Sequence, residues 1–83
     1  MSNPVKDLTT QFGVEHLAEA EEDDFTELEV EEIKAYTERA MLLHMSDGYD
    51  EWFPKVVLRT NAEEDEVYCL TSFLEDNGLD SYT

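Results

Sequence analysis

One stretch limits this chain more than any other. Residues 19–32 (EAEEDDFTELEVEE) hold nine acidic side chains among fourteen residues and no base. Ionised carboxylates are almost never buried without a partner. Whatever element this segment joins must therefore present it to water, and the run defines a surface. A smaller echo follows at Glu63, Glu64, Asp65 and Glu66. With 22 acids against 5 bases the formal charge is -17. Such a charge keeps a chain in solution but makes it repel itself. It also argues against direct contact with DNA, RNA or an anionic membrane, which are negative as well.

The chain should nevertheless fold. Hydrophobic residues make up 41% of its 83 positions, too many for the disorder signature of low hydrophobicity with high charge. The length suits one small domain spanning residues 1–83, with a loose tail from about residue 80. Cys69 is the lone cysteine, so no internal disulfide can form. No apolar run approaches the ~18 residues of a membrane span, and MSNPVKDLTT lacks the basic start and apolar core of a signal peptide. A cytoplasmic protein is expected.

The apolar spacing predicts helices. Asn3-Pro4 reads as an N-cap with proline at the first helical position. Val5, Leu8 and Phe12 carry a helix over about residues 4–12, with a continuation towards residue 21 through Val14 and Leu17. Thr26 and Glu29 have capping-box spacing, and the acids near them suit a helix N-terminus. Val30, Ile33, Tyr36, Ala40, Met41 and Leu43 then form a broad stripe, stopped by Ser46-Asp47-Gly48. Asn61 and Glu64 repeat the capping spacing before Val67, Leu70, Phe73 and Leu74, and Asn77-Gly78-Leu79 reads as a Schellman stop. Residues 49–60 are ambiguous, because Val56-Val57-Leu58 is β-prone while Pro54 is barred from a central strand. The expected fold is all-α with three or four helices. The alternative is α+β with a hairpin pairing residues 55–60 with 66–71.

Catalytic signatures are absent from the sequence. His16, His44 and Cys69 share no short motif. Cys69 reads as a small core residue, and His44 as a cation near a helix C-terminus. An EF-hand frame set on Gly48 puts Leu43 and Met45 where acids are required, and one set on Gly78 runs off the chain. No metal, cofactor or catalytic residue is expected. Trp52 reads as a core anchor; with Tyr49 and Phe53 it forms an aromatic patch only if exposed.

The function expected is therefore recognition by charge. On a helix, residues three and four apart lie ~5–6 Å from each other, close to the spacing of successive phosphates. Glu15, Glu19 and Glu22, and Glu27 with Glu31, have that spacing. Together with Glu21, Asp23 and Asp24, and with Glu63, Glu64, Asp65 and Glu66 on a second face, they form the expected partner-binding set. The partner would be a basic nucleic-acid-binding protein. Salt adaptation would spread acids evenly, whereas here residues 33–62 are neutral and the acids are clustered. In size and charge the chain resembles the small acidic proteins, many from phages, that mimic DNA to block restriction, repair or CRISPR machinery. That resemblance implies a non-enzymatic inhibitor. The other reading is an interaction subunit that docks through Tyr49, Trp52 and Phe53, its acids serving solubility or salt adaptation.

Overall fold

A computed structural model describes residues 8–61 and 63–82. The expected cap at Asn3-Pro4 lies outside them. The chain is mostly β, not the expected all-α bundle. Six strands form two antiparallel sheets: β1 (Phe25–Leu28), β2 (Val30–Tyr36), β3 (Ala40–Met45), β4 (Asp50–Pro54), β5 (Leu58–Asn61) and β6 (Glu66–Leu70). One sheet has the order β1-β6-β5, the other β2-β3-β4. Short 3-10 turns occupy Glu19–Asp24, Lys55–Val57 and Asp80–Tyr82, a short helix, α1, spans Thr71–Asp76, and residues 8–10, within the first expected helix, are helical too.

The long helix expected from Thr26 is instead three strands. Its first part alternates: Glu27, Glu29 and Glu31 interleave with Leu28 and Val30, a period of two. The second part misleads for a specific reason. Val30, Ile33 and Tyr36 oppose Met45, Leu43 and Met41, and Glu31 and Lys34 are extra residues bulged out between them. Two bulges convert a strand's period of two into a spacing of three. On paper that spacing is a helix face. On β3 the alternation is unbroken, with Met41, Leu43 and Met45 buried.

The presumed caps have other partners. Thr26 Oγ1 meets Thr71 Oγ1 at 2.7 Å, and Ser46 Oγ donates to the Glu29 carboxylate at 2.9 Å. Asn61 Oδ1 does accept from the N–H groups of Glu63 and Glu64, at 3.1 and 3.3 Å. It closes a hairpin turn rather than opening a helix, and Asp65 takes the left-handed conformation at φ 60°. A hairpin between β5 and β6 thus exists where the α+β alternative expected one. Strands over 25–54 leave neither expected class standing. The Schellman stop is real: Leu79 N–H donates to Leu74 C=O at 2.7 Å, Gly78 N–H to Glu75 C=O at 3.4 Å, and Gly78 has φ 70°.

Both sheets face one core. Leu28, Leu58, Thr60, Val67 and Cys69 come from the first sheet, and Met41, Leu43, Met45 and Phe53 from the second. Leu8, Val14 and Leu74 close its ends. Thr60, the buried polar residue, is satisfied by Thr9 Oγ1 at 2.9 Å. Neighbours on a strand point to opposite faces, so Phe53 is fully buried while Trp52 keeps 47% of its surface exposed. The core anchor is Phe53, and the expectation for Trp52 is corrected. Among the described residues no helix is long and apolar enough to cross a membrane.

Far-UV circular dichroism should show a strand-dominated spectrum. Phe53→Ala should cost about 3–5 kcal/mol, enough to unfold most of so small a domain at room temperature. Asn61→Ala should cost roughly 1 kcal/mol through the lost turn bonds. Chemical denaturation of each variant measures both.

Candidate functional site: a carboxylate face on the first sheet

The outer face of the β1-β6-β5 sheet is set by its registers. Phe25 and Glu27 on β1 lie opposite Leu70 and Tyr68 on β6. Tyr68 and Glu66 lie opposite Arg59 and Asn61 on β5. Leu28, Val67, Cys69, Leu58 and Thr60 point the other way into the core. The pairing therefore lays the first acidic run beside the second. What sequence alone placed on two faces becomes one.

The carboxylates feel one another. Desolvation and the neighbouring Glu66, Glu29 and Glu64 raise Glu27 above the usual carboxylate range. Hydrogen bonding and repulsion from Glu66, with added repulsion from Glu22 and Glu63, raise Glu64. Glu66 moves down, because it accepts hydrogen bonds from the protonated forms of Glu64 and Glu27 and from Tyr68. Tyr68 is pushed up to about 12 by burial and by these acids. Its phenol stays protonated and donates into the cluster. Glu27, Glu64 and Glu66 thus form the centre, ringed by Glu22, Glu29 and Glu63.

Other expected site residues stand elsewhere. Glu19, Glu22, Asp23 and Asp24 are exposed on the 3-10 turn, so no helical row with Glu15 forms. Glu21 and Glu15 approach Arg59 Nη2 at 3.4 and 3.9 Å. A hydrogen bond from the Ala18 N–H, at 3.1 Å, leads in holding Glu21 low, with Arg59 assisting. Arg59 is largely buried. Its Nη1 donates to the carbonyls of Val56 and Leu58 at 2.9 and 2.8 Å, and its guanidinium lies 5.0 Å from the Phe25 ring centroid. Among the described residues its buried Nε has no hydrogen-bond partner. Glu31 is bulged out on β2, 4.0 Å from His44 Nε2, and so belongs to the other sheet. Asp65 is exposed in the β5–β6 turn.

Glu29, Tyr68 and Arg59 were not in the expected set. Only the strand registers bring them in, although the alternation of Glu27 and Glu29 was readable. Among the described residues no group of three His, Cys, Asp or Glu side chains is placed to hold a metal ion. Cys69 is fully buried and its thiol is pushed up to about 12, as suits a core residue. His44 lies on β3, not at a helix end, and its Nδ1 bonds the Asp50 carboxylate.

The sign of the pH dependence follows. Raised carboxyls such as Glu27 and Glu64 subtract stability at neutral pH and return it as pH falls through their folded values. Lowered ones, Glu66 and Glu21, add stability above the ordinary range and lose it as pH falls. Glu27→Gln should therefore raise the melting temperature at neutral pH, and the gain should shrink as pH falls through the raised Glu27 value. The parent's melting temperature should also climb as salt goes from low to physiological levels, where the Debye length is about 8 Å. Calorimetry over pH and salt checks both.

No protein-family model matches this chain, no curated protein matches it, and no solved structure matches it.

Proposed function

We propose that the chain is a non-enzymatic inhibitor that imitates nucleic acid and occupies the basic cleft of a DNA- or RNA-binding protein. One observation carries this reading: the β1–β6 register brings Glu27 diagonal to Glu66, with Glu64 in the adjoining turn and Glu22, Glu29 and Glu63 close enough to be felt by them. Glu27 and Glu66 are diagonal neighbours across the two strands, a separation of about 7–8 Å that is close to phosphate spacing. A rigid sheet holds the charges before the partner arrives, so little ordering entropy is lost on binding. The partner's Lys and Arg side chains would release their counterions as they do on nucleic acid. A cytoplasmic location goes with this reading, since its targets work there.

The rival reading, an interaction subunit using an aromatic patch, loses Phe53 to the core but keeps Trp52 and Tyr49, which are 47% and 67% exposed. The two readings differ in salt dependence. Immobilised protein should capture basic nucleic-acid-binding proteins from lysate, and duplex DNA or RNA should displace them. Replacing Glu22, Glu27, Glu64 and Glu66 with Gln should leave the fold intact, weaken capture by orders of magnitude and flatten its salt slope. If the Gln variant captures the same proteins while Trp52→Ala folds and captures none, mimicry is wrong.

A further inference from the structure

The exposed edge of the second sheet has a register that can be worked out atom by atom. Met45 N–H donates to Tyr49 C=O at 2.8 Å, and Lys55 N–H to Arg39 C=O at 2.9 Å. Between those ends β4 pairs with β3 without a shift, from Ala40 opposite Pro54 to His44 opposite Asp50. In an antiparallel pair hydrogen-bonded and non-bonded positions alternate. Odd-numbered β4 residues therefore bond to β3. Asp50, Trp52 and Pro54 turn their backbone groups outward, Pro54 offering only its carbonyl. Among the described residues no backbone hydrogen bond outside the ladder reaches them.

The other edges are guarded. Bulges and charges interrupt β2 at Glu31 and Lys34. Residues 15–17 cover β5, with Leu17 N–H donating to Thr60 C=O and Thr60 N–H to Glu15 C=O, both at 2.9 Å. Acids stand on β1 at Glu27 and flank it at Asp23, Asp24 and Glu29. β4 carries Asp50, Glu51 and, at its end, Pro54, but it has no bulge and no covering segment among the described residues, and Trp52 stands exposed at its centre.

We infer that β4 pairs with β4 of a second copy of this chain, antiparallel and centred on Trp52, joining two three-stranded sheets into one. In this register each Trp52 N–H donates to the partner's Trp52 C=O. Each Asp50 N–H donates to the partner's Pro54 C=O, so the missing proline donor is the only one the ladder forgoes. The side chains are self-complementary too. Lys55 falls opposite the partner's Tyr49 and diagonal to the partner's Glu51, within reach of a long side chain. The two-fold axis makes that ion pair twice, and the Trp52 rings meet on the outer face. Net charge opposes any self-association, but not evenly. Residues 33–61, which contain this edge, hold four acids and four bases, whereas residues 19–32 alone hold nine acids. The contact uses the neutral part of the molecule and leaves the carboxylate face free.

Analytical ultracentrifugation of the full chain at physiological salt should show a reversible dimer. Amide exchange on the unaltered protein should slow at Asp50 and Trp52 as concentration rises, while amides of exposed turns stay unchanged. Trp52→Lys, which sets two cations on the axis, should abolish the dimer. Lys55→Glu should weaken it about tenfold or more, and Glu51→Lys in the Lys55→Glu background should restore it. Circular dichroism verifies that each variant is folded. A monomer at every concentration, with Asp50 and Trp52 exchanging at constant rates, overturns the inference. So does a dimer that survives Trp52→Lys, or one that the charge swap fails to restore. If the chain stays monomeric while an extended peptide from another protein protects the same amides, the edge takes a foreign strand and self-pairing is wrong.

Discussion

The pairing of β1 with β6 is the contact on which the rest depends. It joins the acidic run to the last third of the chain and places β6 between β1 and β5. On top it sets Glu27 against Tyr68 and diagonal to Glu66, and the closeness of the two carboxylates opposes folding. Beneath, it buries Leu28, Val67, Cys69 and Leu58. Burying one large apolar side chain is worth about 1.5–3 kcal/mol. Exposed charges interact by about 1 kcal/mol or less, and salt weakens them further. The inner face therefore wins, and the outer face is held at a density of charge it would not adopt alone.

Arg59 divides the acids into two groups. Its side chain lies flat on the sheet over Phe25, tied to two backbone carbonyls and approached by Glu21 and Glu15. Those two carboxylates are engaged within the molecule and fasten the segment before β1 to β5. The carboxylates of Glu27, Glu64 and Glu66 instead lie beside one another and the Tyr68 phenol, with no cation among the described residues that shift them. The same chain thus carries a structural acid–base contact and an uncompensated face within one sheet.

Charge is also divided between the sheets. In the second sheet Lys34 lies 3.2 Å from Glu32, and His44 hydrogen-bonds Asp50. Its open edge at β4 lies in the neutral part of the sequence. A molecule repelled by its own copies everywhere else has one flank where a second copy could approach. A dimer built there would carry two carboxylate faces and engage a two-fold target with both, so that a modest affinity at each face becomes a strong one for the pair.

The sequence by itself determined the charge, the small core composition, the burial of Cys69 and the Schellman stop at Gly78. Each follows from a residue's own hydration or from hydrogen bonds within a few positions of it. It also contained the alternation of Glu27, Leu28, Glu29 and Val30, a strand signal outweighed by the apparent helical stripe that follows. Only the tertiary structure decided that this stripe is a bulged strand, because a bulge exists relative to a partner strand and leaves no local mark. It alone decided that Trp52 faces out and Phe53 in, since the parity of a strand is set by what it packs against. And it alone joined Glu27 to Glu64 and Glu66. Those residues lie far apart along the chain, and the apolar side chains beneath them, not the acids themselves, bring them together.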